Sequence, residues 1–163
     1  MFIYQNVAQT VKNYGPGVAS WVAPARSLIN AGVMRVMELD RPLGHTQFTP
    51  FHYFQWGITR RAEDGNVYAP EERVDRELML KIATVWGGYY LLKEDKIGSL
   101  EPGKFADFIV LDRDYLSMPV EEILSTKVLM TAVGGKVVHL APSFAGEAGM
   151  SPVGAQAVRG ATR

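Results

Sequence analysis

Gly98-Ser99-Leu100-Glu101-Pro102-Gly103-Lys104-Phe105-Ala106-Asp107-Phe108-Ile109-Val110-Leu111-Asp112 is the stretch of this 163-residue chain from which the fold is read. Pro102-Gly103 shapes a turn, and Asp107 has a short side chain suited to accepting a backbone N–H near that turn. These are structural duties before chemical ones. Phe108 to Leu111 is a short apolar run and reads as a strand. Downstream, Val120-Glu121-Glu122-Ile123-Leu124 predicts a short helix and residues 127–133 a strand. Gly134-Gly135 then makes a hairpin turn and residues 136–140 the returning strand. Three strands are too few for a closed β domain. Beyond Leu140 the composition falls to Ala, Gly, Pro and Ser, so residues 141–163 are expected to be a disordered tail.

Upstream of the quoted stretch the pattern is helical. Residues 7–14 suit a helix that Gly15-Pro16-Gly17 stops. Ser20 is placed to cap a second helix whose apolar side holds Val22, Leu28 and Ile29, and Asn30-Ala31-Gly32 ends it. Residues 33–39 are short, mostly apolar and bounded by Asp40-Arg41-Pro42-Leu43-Gly44, which predicts a strand. Helix, glycine and buried strand together suggest an α/β unit. Thr49-Pro50 opens an aromatic-rich helix through Phe51, Phe54, Ile58 and Arg61. Asp75 precedes one side of a helix of roughly 16 residues, marked by Leu78, Ile82, Val85, Trp86 and Tyr89. An α/β half and a β half, each incomplete, point to a piece of something larger.

The pattern Gly-x-Leu-Glu-Pro-Gly-Lys-x-Ala-Asp-x-x-Val-Leu-Asp over residues 98–112 resembles the closing segment of the amidohydrolase superfamily. The run Lys127-Val128-Leu129-Met130-Thr131-Ala132-Val133-Gly134-Gly135-Lys136-Val137-Val138 looks like that family's final hairpin. Further back, Pro24-Ala25-Arg26-Ser27-Leu28-Ile29-Asn30-Ala31-Gly32-Val33 is similar to the approach to the last barrel strand in one branch of the superfamily. That branch is the large hydrolases resembling N-substituted formamide deformylase. The resemblance implies an α/β fold, the C-terminal fragment of a TIM-type (β/α)₈ barrel followed by the closing strands of a small β-sandwich begun by N-terminal residues. On that division residues 1–96 are the last barrel helices and strand, and residues 97–140 are the sandwich part. A whole barrel takes about 250 residues, so the missing N-terminal barrel portion is the first expected partner.

The resemblance also places Asp40. In Glu38-Leu39-Asp40-Arg41-Pro42 it occupies the position of the family's metal-site aspartate, at the barrel's C-terminal face. The implied role is double: one carboxylate oxygen ligates a divalent metal, zinc by the family's habit, and the other takes a proton from the attacking water. The residues alone favour an Asp that caps the turn before Arg41-Pro42, and the resemblance reverses that preference. Glu38-Leu39 departs from the family's Gly-Ser, and Glu38 is read either as an extra ligand or as a partner of Arg35 or Arg41. Trp86 stands where the branch carries Asn.

The other implied ligands, a His-x-His, a carboxylated Lys or Glu and two later His, have no counterpart among His45, His52 and His139. A catalytic zinc needs about three protein ligands, so this chain alone is not expected to hold the metal. Phe51, Tyr53, Phe54 and Trp56 are read as core rather than as an apolar substrate pocket.

Composition narrows the remaining classes. Seventeen Lys plus Arg balance seventeen Asp plus Glu, which leaves no net field to attract nucleic acid or an anionic membrane. No apolar run approaches the roughly 20 residues of a membrane span. The lack of Cys removes disulfides and thiolate chemistry, and favours a reducing compartment such as the cytoplasm. The expectation is a segment of a hydrolase acting on non-peptide carbon–nitrogen bonds of a small-molecule substrate. The alternatives are a subunit of a split hydrolase and a non-catalytic interaction module.

Overall fold

In the computed structural model, residues 2–38 and 49–155 are described. The first helix, α1 (Phe2–Tyr14), begins earlier than its sequence pattern and ends where Gly15 turns to φ 89° ahead of Pro16. A 3₁₀ turn follows at Pro16–Ser20. Ser20 closes that turn by donating to the Gly17 carbonyl rather than capping the next helix. Instead α2 (Ala25–Asn30) starts after Pro24, and its first turn receives the Glu72 carboxylate, which accepts the Ser27 N–H at 3.0 Å. Gly32, at φ 83°, ends α2 through the paired bonds Gly32 N–H to Ile29 and Val33 N–H to Leu28, a Schellman closure.

Residues 33–38, expected as a strand, are irregular chain with no ladder partner among the described residues. Val33 and Met34 are correspondingly exposed. An apolar strand of a parallel sheet gains its burial and its hydrogen bonds from strands on either side, and the described residues supply none. Leu39 lies outside them.

Thr49 and Pro50 open α3 (Pro50–Thr59) as expected; the Thr49 N–H donates to His52 Nδ1 at 3.1 Å. The helix ends at Arg60, which adopts the left-handed conformation, φ 56°. The long helix expected after Asp75 is two. Asp75 caps α4 (Arg76–Ala83) by accepting the Leu78 N–H at 2.8 Å, and α5 (Val85–Tyr90) starts on a new axis because Thr84 takes φ −128°, ψ −84°. The break splits the expected stripe: Leu78, Ile82 and Trp86 still pack on the main core, whereas Val85 and Tyr89 are exposed. The main core joins Phe51 and Phe54 of α3 to Met79 and Ile82 of α4 and to Tyr115, Met118 and Ile123. A smaller cluster gathers Val7, Ala19, Trp56, Ala62 and Ala69.

The β half is a three-stranded antiparallel sheet, β1 (Phe108–Leu111), β2 (Val128–Val133) and β3 (Lys136–Leu140), in the order β1-β2-β3. Phe108 pairs with Ala132 and Ala132 with Val137. Gly134 and Gly135 turn the hairpin at φ 56° and 76°, the double positive φ of a type I′ turn. The predicted helix near 120 is a 3₁₀ helix, Val120–Ser125. Residues 141–155, expected as disordered, carry α6 (Pro142–Ala145) and a bridge from Val153 back to Leu140. Small residues allow this close return: a Cβ on Gly154 would lie 2.5 Å from the Val138 carbonyl oxygen. The result is a mixed helical and antiparallel arrangement, with no parallel strand pair among the described residues.

Candidate functional site

The stretch of residues 98–112 is a chain of structural clasps. The Lys104 N–H donates to the Glu101 carbonyl across Pro102-Gly103, with Gly103 at φ 92°, the geometry that proline followed by glycine favours. Asp107 reaches further than its neighbouring turn: its Oδ1 accepts the Gly134 N–H at 2.6 Å, and the Gly135 N–H donates to the Ala106 carbonyl. The signature therefore holds the hairpin turn 27 residues away. Asp112 closes the far end of β1, accepting the Lys127 N–H at 2.9 Å and Arg113 on both oxygens. Those bonds from Arg113 hold the Asp112 carboxyl below its ordinary range.

Ser99 and Lys104 resemble a nucleophile with a base, but the hydrogen bonds run the other way. Ser99 donates to the Glu101 carboxylate at 2.6 Å while accepting from Lys104 Nζ at 2.7 Å. A hydroxyl whose proton is committed to a carboxylate and whose oxygen is held by an ammonium is a lock, not an attacking group. Gly98 belongs to the same lock, since a Cβ there would sit 3.1 Å from the Thr84 carbonyl oxygen.

Matched against known sequences, residues 2–139 fit the pattern of a family described as "Amidohydrolase family". The chain belongs to the amidohydrolase family. The N-substituted formamide deformylase of Arthrobacter pascens is 30% identical over 112 residues, which are 69% of this chain and 20% of that protein. The 5-methylthioadenosine/S-adenosylhomocysteine deaminase of Caldanaerobacter subterraneus subsp. tengcongensis is 27% identical over 132 residues, 74% of this chain and 29% of that one. Protein LONG AFTER FAR-RED 3 of Arabidopsis thaliana is 27% identical, with 70% and 19% covered. Among solved structures, an amidohydrolase from Thermotoga maritima MSB8 aligns at TM-score 0.40 and 20% identity over 78% of this chain and 36% of that one. The chain thus spans about a fifth to a third of the length of these relatives.

Asp40, the residue expected to ligate metal and move the proton, lies outside the described residues, as do Arg41 and His45. Glu38, described and exposed, makes no salt bridge among the described residues; Arg35 donates instead to Tyr53 Oη at 3.4 Å. His52 serves the start of α3, with burial holding its pKa below the ordinary value, and His139 sits in β3 opposite Thr131. Among the described residues no three His, Asp or Glu side chains converge to hold a metal ion. Phe51, Phe54 and Trp56 are core, as read from the sequence, with Phe54 edge-on to Tyr115 at 5.1 Å. Trp86 also packs against the main core.

Sequence reasoning missed two buried charges. Arg60, 1% exposed, stacks on Trp56 at 4.3 Å and donates to the carbonyls of Ala19, Val22, Ala23 and Tyr68. Burial pushes its pKa down to about 10. Glu72 is 3% exposed and receives Ser27 through both the backbone N–H and the hydroxyl. Burial by itself would raise the Glu72 pKa, but these donors outweigh it and leave the carboxyl below its ordinary range. Together they fasten the chain on either side of Ala25 to the α3–α4 connection, and so set the direction in which α2 delivers residues 33–38. In the Arg60-Arg61 and Glu71-Glu72 pairs one member is buried and one exposed, and neither pair carries a periodicity that would tell them apart.

Proposed function

We propose that this chain is the C-terminal segment of a metal-dependent amidohydrolase that hydrolyses non-peptide carbon–nitrogen bonds of a small molecule. The observation carrying this reading is the family match across residues 2–139, joined to coverage of only 20% of the deformylase and 29% of the deaminase. Both of those relatives bear names of enzymes acting on carbon–nitrogen bonds. Asp40 is the residue proposed to offer one carboxylate oxygen to a divalent metal, zinc by the resemblance. Its other oxygen takes the proton of the attacking water and returns it to the leaving nitrogen. The remaining ligands come from the preceding polypeptide, because the described residues bring no such set together. The segment on its own is then inactive.

The surface supports a completing polypeptide. An apolar hollow of about 720 Å³, lined by Met37, Phe51, Phe54, Leu111, Leu116 and Val128, adjoins another of about 480 Å³ holding Leu91, Leu100 and Phe108. Both share Ala83, Thr84 and Ile109, so they form one trough beside β1. Ile109 and Leu100 are more than half exposed within it. Among the described residues this trough is an exposed apolar surface of the kind that marks a contact site, and four-fifths of the deformylase's length is available to fill it.

The test uses the full-length enzyme with an N-substituted formamide as the first substrate. Asp40→Asn is expected to lower kcat by roughly 10²–10⁴-fold, since proton transfer and a metal contact are lost together. Glu38→Gln, at an exposed carboxylate in irregular chain that joins no metal-holding group among the described residues, is expected to retain turnover. Near wild-type turnover in Asp40→Asn would overturn the assignment.

A further inference from the structure

No further inference is drawn: the strongest candidate, the apolar trough running beside β1 from Met37 past Ile109 to Leu91, is the surface already given to the completing polypeptide, and nothing else in the structure shows what covers it.

Discussion

Asp107 shows how little of a motif need be chemistry. Its carboxylate spans the distance between the signature and the final hairpin, and the bond to Gly134 needs an acceptor at that one atom. Asp107→Ala is expected to destabilise the sheet by about 1 kcal/mol, the net worth of one hydrogen bond, with Asp107→Asn milder because its amide oxygen still accepts. Urea unfolding of the full-length protein followed by tryptophan fluorescence checks this; equal losses in both variants would show that the bond to Gly134 is not what the residue supplies. Asp112 makes a pH prediction. Its folded pKa is depressed by Arg113, so its contribution is fully present above the unfolded value of about 3.9 and disappears as pH falls through the lower folded value. Asp112→Asn is expected to flatten the melting temperature below about pH 4 while leaving the slope near neutrality unchanged. At this scale the sequence was readable where a residue works through its neighbours, as Pro102-Gly103 and Asp75 do. It was unreadable for Arg60, whose partners lie up to 41 positions away.

Elements were legible wherever local punctuation and periodicity agreed. β1, the Gly134-Gly135 hairpin and the start of α3 all fell where a short apolar run, paired glycines or Thr-Pro predicted them. The helix after Asp75 broke that agreement, because spacing describes a face only while the axis stays straight. Thr84 bends it, and Gly98 and Gly88 are the residues that let the signature approach the bend. A Cβ on Gly88 would lie 2.8 Å from the Ile97 carbonyl oxygen, and Gly98 also needs φ 94°. Gly98→Ala is expected to cost ~1–3 kcal/mol from the backbone conformation alone, before any shift of Thr84. Gly87→Ala, with open space around it, is the control and is expected to change stability by much less. Comparable losses in Gly87→Ala and Gly98→Ala would remove the close approach as the reason for the glycine.

For the molecule as a whole, the exposed trough and residues 33–38, which have no ladder partner among the described residues, predict behaviour in isolation. Made alone, the chain is expected to associate or aggregate at micromolar concentration and to melt broadly, whereas the full-length protein melts cooperatively. Sedimentation velocity and calorimetry compare the two, and a sharply melting monomer of the segment would contradict its incompleteness. The neutral charge balance does nothing to oppose such association. What the sequence determined by itself was family membership, the turns and the antiparallel hairpin, since these depend on residues close along the chain and on glycine and proline, whose conformational limits are intrinsic. The stretch of residues 98–112 named the family in this way. Only the tertiary structure decided that this stretch is a clasp, that Arg60 and Glu72 are buried, and that the long helix is two. Those outcomes depend on which distant carbonyls, carboxylates and backbones meet, and a one-dimensional pattern does not specify such meetings.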